Sequence, residues 1–299
     1  MKRKTIQLAG TLVVSLPSKW AKKHGVKKGD EINVEEQEGK LVIGTSQASG
    51  IRTQEISIKN DHFMQRLILN PYRNGVDELT VNYDSSAVLP KIHKALNMTI
   101  GFEVIKQGQK SCVLKTIATG QNEEFDNVLR RMFLMLLQFS QQSYEALKEH
   151  NKEALEEVKS SDIIIGKYQH FCERLLHKSN LEPHKLTFLS HVVSGIEQIM
   201  DRYSALCDYF SQQKENDLSK KALSLMQQTN ALLQDYYELF YSYNAEKHSQ
   251  LKTQKKLVDM ALTTIKEPQE MIVVQQLGKV IDVLTHLSQK TSESHPLQK

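Results

Sequence analysis

Basic side chains at the N-terminal end are the clearest candidates for chemistry in this sequence. Residues 1–29 contain eight lysines and arginines and no acidic residue, whereas the remaining residues contain 31 basic and 35 acidic ones. The net charge of +4 therefore conceals a basic segment on a mildly acidic chain. This distribution is typical of a segment that binds a polyanion such as DNA. A solvated lysine surface is the alternative, and charge alone leaves both open.

A pair of carboxylates in the C-terminal half is the second candidate. Glu197 and Asp201 are four residues apart in a helical pattern, so both side chains lie on one face. Like charges at this spacing destabilise a helix by about 0.2–0.5 kcal/mol unless a cation offsets them. A hard cation with oxygen ligands would suit the surrounding strip, which has no basic residue. A chance pair on an exposed helix is the alternative. The strip comprises Ser194, Glu197, Asp201, Ser204 and Asp208.

Other reactive residue types form no recognisable site. Four histidines recur every seven residues, but Pro183 interrupts the helix between the second and third, so surface or helix-end positions explain them better. We find no Ser-His-Asp or Cys-His arrangement and predict that the protein is not an enzyme. Three widely spaced cysteines favour buried free thiols in a reducing cytoplasm. The histidines are His170, His177, His184 and His191, and the cysteines are Cys112, Cys172 and Cys207.

Apolar patterning predicts a multidomain α+β protein. No apolar run approaches the ~18 residues of a membrane-spanning helix, so we expect no membrane insertion and a cytoplasmic location. Residues 1–46 are predicted to form two short hairpins around a two-turn helix, and residues 51–119 a small β-α-β-α-β-β domain. Helical periodicity from residue 121 onward predicts about six helices, grouped as three-helix units over 121–212 and 214–292.

The N-terminal unit is too small to bury a core alone, so it should dimerise with interleaved strands. Its stretch "GTLVVSLPSKWAKKHGVKKGDEINV" resembles the AbrB-type swapped-hairpin DNA-binding family, also called SpoVT/AbrB or MazE-like. The resemblance implies a homodimer or larger assembly that binds DNA through the first strands and the short helix. The implied contact residues are Lys2, Arg3, Lys4, Thr11, Lys19, Lys22 and Lys23.

The helical region resembles the PhoU family of phosphate-uptake regulators, which consists of two three-helix bundles. "GIEQIMDRYSALCDYF" and "QLGKVIDVLTHLSQ" carry this resemblance at similar places in the two halves. It implies a divalent or ferric metal ion at a Glu-x-x-x-Asp motif, matched by Glu197 and Asp201. Asp282 matches the second aspartate, although Gly278 replaces the expected glutamate.

Together the chain resembles archaeal-type proteins that join an AbrB-type head to a PhoU-like body. We therefore predict a DNA-binding transcriptional regulator, concerned with phosphate uptake, whose helical body senses or docks. The alternative is an adaptor that binds a phosphate-transporter ATPase or a kinase and uses the N-terminal unit only to dimerise. An antitoxin-like repressor would fit the N-terminal unit but leaves the long helical region without a purpose.

Overall fold

The computed structural model describes residues 3–37, 39–45, 51–58, 64–117, 122–160, 162–213 and 217–295. It divides the chain into two compact units, residues 1–51 and 52–299. The predicted domain boundaries at residues 46, 119, 121 and 214 lie outside the described residues, and so they stay predictions.

The N-terminal unit contains two antiparallel hairpins and one short helix, as the sequence predicts. Gly25 ends the helix with a φ of +67°, which a side chain would oppose. Residue 38 of the second predicted turn lies outside the described residues. The elements are β1 (Ile6–Leu8), β2 (Thr11–Val13), α1 (Ser18–Lys23), β3 (Ile32–Gln37) and β4 (Lys40–Thr45).

The second unit begins with a four-stranded mixed sheet. Its strand order is β5-β6-β8-β7, with β5 parallel to β6 and the other pairs antiparallel. Alternating buried positions in β6 and β8 pack against the sheet's two helices, which confirms the predicted β-α-β-α-β-β order. The elements are β5 (Thr53–Ile58), α2 (Met64–Arg73), β6 (Glu78–Tyr83), α3 (Leu89–Leu96), β7 (Phe102–Gln107) and β8 (Ser111–Thr116).

Seven helical segments are described in the helical region, and the sequence predicts about six helices. The second predicted helix corresponds to α5 and α6, and residue 161 between them lies outside the described residues, so the predicted number of helices stays a prediction. The helices are α4 (Asn122–Lys148), α5 (Lys152–Ser160), α6 (Asp162–Lys178), α7 (Pro183–Ser211), α8 (Lys220–Tyr241), α9 (Ala245–Leu262) and α10 (Met271–Ser294).

The two helical halves share one core along α7 and α10. Helix α7 packs on α4, α5 and α6 in the first half and makes its most extensive contact with α10 of the second. The helices approach closely because Gly195 of α7 lies against Leu287 of α10, where a Cβ atom would meet the leucine side chain at 2.8 Å. The apolar residues of α7 that recur every three or four positions from Val192 to Phe210 are buried, with Ile196 and Tyr203 fully enclosed.

A buried arginine joins the sheet to the helices. The Arg174 side chain of α6 is 4% exposed, and its guanidinium donates to Tyr72 O (3.0 Å), Val76 O (2.6 Å), Asp77 Oδ1 (2.5 Å) and Thr116 Oγ1 (2.9 Å). The same guanidinium lies over the Tyr72 ring. These four hydrogen bonds connect α6 to the end of α2, to the loop that follows α2 and to β8.

Asp77 connects this arginine to the start of the second unit. Its carboxylate also accepts from Lys178 Nζ (2.6 Å) and from the Arg52 N–H (3.1 Å). Burial by itself would raise the pKa of Asp77, but the bonds from Lys178 and Arg52 and the nearby positive charges outweigh it and hold the pKa below its usual range. The ionised carboxylate therefore fixes Arg52, the residue at which the chain leaves the N-terminal unit.

The three cysteines are buried and free, as predicted. Burial raises the pKa of Cys112 and of Cys207 to about 11, which disfavours the reactive thiolate. Of the helices in the described parts of the chain, none combines the length and the apolar character that crossing a membrane requires.

Replacing Arg174 with methionine keeps an unbranched stem of similar length but removes the guanidinium. Two buried carbonyls and Asp77 lose donors, so we expect the free energy of unfolding to fall by about 3–5 kcal/mol in urea denaturation. The control is Lys247→Met, which removes an exposed ion pair with Glu238 (3.4 Å) and should cost less than about 1 kcal/mol. Equal losses in the two variants would contradict the structural role of Arg174.

Candidate nucleic-acid interface

Helix α1 presents its lysines to solvent. Pro17 precedes the first helical residue and accepts the Ala21 N–H at 2.9 Å, which starts the helix. Leu16 and Trp20 are half-buried, whereas the predicted contact residues of this helix, all basic, are exposed. These residues are Lys19, Lys22 and Lys23. The helix therefore separates an inward apolar side from a basic outer side.

A tight turn beyond the helix adds two more exposed lysines. The Asp30 carboxylate accepts the Lys27 N–H at 2.7 Å, and the Asp30 N–H donates to Lys27 O at 3.2 Å. Gly29 has a φ of +94° in this turn, which favours glycine. Our sequence prediction of contacts omitted Lys27 and Lys28. The Gly-Asp pair that holds their turn was the signal that could have included them.

The segment before β1 contributes Arg3 and Lys4, which are exposed. Arg3 Nη1 donates to Ser15 Oγ at 2.8 Å, and this bond ties the segment to the chain just after β2. The predicted contact Lys2 lies outside the described residues. Of the basic side chains described in residues 3–29, none is within ion-pair distance of a carboxylate, so their charge is available to a ligand.

Thr11, the one predicted contact residue that is not basic, lies on an apolar face of the first hairpin. Thr11 pairs with Leu8, and Ile6 pairs with Val13, so all four side chains lie on one face of the first hairpin. That face is otherwise apolar. The register thus favours a position for Thr11 at a protein interface, and its predicted DNA contact stays a prediction.

The N-terminal unit buries no large apolar side chain in a single chain, judged on its described residues. Leu8 is 66% exposed, Leu12 70% and Leu41 68%. Exposed apolar surface of this density on a small unit marks a protein–protein interface. This agrees with the physical reason for predicting a dimer, since a second copy would supply the missing core.

The predicted metal residues lie on helices α7 and α10. Glu197 is half-buried, and Asp201 and Asp282 are exposed. Within the described chain, no three or more His, Cys, Asp or Glu side chains form a group that could hold a metal ion. A lysine also reaches the strip that the sequence shows as free of basic residues, because Lys159 of α5 forms an ion pair with Asp208. The metal site at Glu197 and Asp201 stays a prediction.

Comparisons with known proteins match the two units separately. Residues 8–51 match the family described as "Antidote-toxin recognition MazE, bacterial antitoxin". Among solved structures, the phosphate transport system regulatory protein PhoU from Streptococcus pneumoniae is similar, with a TM-score of 0.52 and 16% sequence identity. The similarity covers 58% of this chain and 94% of that one. No curated protein matches the chain. The chain therefore has a MazE/AbrB-type N-terminal domain and a body with the PhoU fold.

If a second copy covers the apolar face of the first hairpin, a charge there will disrupt the dimer. We expect Leu8→Asp to halve the molar mass measured by light scattering at micromolar concentration, because it buries an unpaired carboxylate. The control is Ile105→Asp, which changes a residue of β7 that is 50% exposed and should leave the mass unchanged. A Leu8→Asp protein with the wild-type mass would contradict this interface.

Proposed function

We propose that this protein is a DNA-binding regulator in phosphate homeostasis. The MazE/AbrB-type domain and the PhoU fold support a regulatory role of this kind. The finer proposal is that the N-terminal domain binds DNA as a homodimer and controls genes of phosphate uptake. One observation carries it: the exposed basic side chains lie on a unit whose apolar side chains are left exposed in a single chain.

Dimerisation would double the basic surface and give it two-fold symmetry. Each chain contributes Lys19 and Lys22 of α1 and the turn lysines that follow, and a symmetric pair would contact both strands of a duplex. Lysine ammonium groups suit phosphate oxygens, whereas bidentate reading of guanine favours arginine. Arg3 is the one arginine in residues 1–51, and its guanidinium is bonded to Ser15. We therefore expect phosphate contacts to dominate affinity, with modest sequence specificity.

The body would supply the signal. Its link to the DNA-binding domain begins at Arg52, which Asp77 and the buried Arg174 hold in place. A partner or effector that changes the packing of the sheet on α6 would move this anchor. A component of a phosphate transporter is the partner that the PhoU fold favours, and a metal ion at Glu197 and Asp201 is a candidate effector.

The DNA-binding proposal is tested by removing two lysine charges from α1. We expect Lys19→Gln/Lys22→Gln to weaken duplex binding at least ~10-fold in fluorescence anisotropy at low salt. Two lysines in each of two protomers contact up to four phosphates, so the slope of log K against log salt should fall by about 2–4.

The matched control is Lys185→Gln/Lys266→Gln, which removes the same charge from exposed positions of the body. It should bind DNA like the wild type. The adaptor alternative predicts no DNA binding by the wild type at low salt, or the same affinity for both double variants. Light scattering on the α1 variant should still give a dimer, since the lysines lie away from the apolar faces.

A further inference from the structure

Two histidines from different halves of the body lie side by side where α7 meets α10. The ring centroids of His191 and His286 are 5.4 Å apart and the rings are tilted by 57°. Both residues are exposed to solvent. His191 belongs to the seven-residue series seen in the sequence, but its partner His286 does not.

The separation of the two rings fits a shared metal ion. An imidazole nitrogen binds Zn²⁺ at about 2.0–2.1 Å, which puts the ring centroid roughly 3.2 Å from the metal. Two such rings at a tetrahedral angle have centroids roughly 5.2 Å apart. The observed separation of 5.4 Å is close to this value.

Local hydrogen bonding prepares His191 to be a ligand. Its Nδ1 lies 2.7 Å from Thr187 O, the carbonyl one turn earlier. A ring N–H that donates to a backbone carbonyl fixes the tautomer and leaves Nε2 with a free lone pair, which is the arrangement usual in metal-binding histidines. His177 makes the same bond, to Glu173 O at 2.9 Å, but among the described ring contacts no second imidazole lies beside it.

We propose that His191 and His286 bind one Zn²⁺-type divalent transition-metal ion, with water completing its coordination. Imidazole nitrogen suits zinc, copper and nickel, in contrast to the hard cation predicted at the carboxylates of Glu197 and Asp201. Helix α7 belongs to the first half of the body and α10 to the second. The ion would therefore fasten the two halves beside the close contact of Gly195 with Leu287.

The test is a Zn²⁺ titration of tag-free, chelator-treated full-length protein by calorimetry. To isolate the imidazole site, every protein carries Glu197→Gln and Asp201→Asn. We expect this background protein to bind one Zn²⁺ per chain, and His191→Ala or His286→Ala to weaken that binding at least ~10-fold. The double histidine variant should bind at least as weakly as the weaker single variant, because each single variant keeps one imidazole ligand. Zn²⁺ should raise the Tm of the background protein but not of the histidine variants.

His177→Ala is the matched control, because it removes an exposed histidine with the same carbonyl bond, and it should leave Zn²⁺ affinity unchanged. Equal affinity in the His191, His286 and background proteins would overturn the proposal, as would an equal loss in the His177 variant. Electron paramagnetic resonance of bound Cu²⁺ gives a second readout. Coupling to two imidazoles in the background protein and one in each single variant supports the site, and coupling to fewer than two in the background protein contradicts it.

Discussion

Apolar side chains of the N-terminal hairpins need a covering that one chain does not provide. Leu8, Leu12 and Leu41 are each about two-thirds exposed, and each would stabilise the fold by roughly 1.5–3 kcal/mol if it were fully buried. A second copy of the same hairpins is the simplest covering, because the strands already present an apolar face and unpaired edges. Dimerisation would then position the lysines of α1 as a symmetric pair, and the account of DNA binding depends on this step.

The second unit, in contrast, buries a large apolar core within one chain. Its four-stranded sheet and its helices must still be connected to each other. Arg174 makes this connection by satisfying carbonyls at the end of α2 and after it, a carboxylate and a threonine at once. A buried guanidinium is costly to desolvate, so complete pairing is required for it to stabilise the fold. Because Asp77 also holds Arg52, the same cluster anchors the chain that comes from the N-terminal unit.

The order of strands and helices could be predicted from the sequence because local patterns decide it. Turn residues such as Gly25 and the apolar stripe of α7 determine elements within a few residues of themselves. The resemblance implies a DNA contact at Thr11. The strand register places this residue on an apolar face, and its DNA contact stays a prediction.

Contacts between segments that are distant in the chain could not be predicted from the sequence. Nothing in the composition of α6 distinguishes Arg174 from a surface arginine, and its partners lie 58 to 102 residues away. Lys159 and Asp208 are likewise 49 residues apart, so the strip around Glu197 lacks a lysine in sequence but not in space. His191 and His286 come together only because α7 packs on α10. Each of these sites depends on tertiary packing, which periodicity does not encode.

Acetylation footprinting of lysines tests the central claim most directly, since it finds the surface that DNA covers. Full-length protein is acetylated with and without duplex DNA at low salt, and the modified lysines are quantified by mass spectrometry. The account predicts that DNA protects Lys19 and Lys22 while Lys185 and Lys266 react as before. Equal reactivity of the α1 lysines with and without DNA, or protection confined to the body, would contradict it.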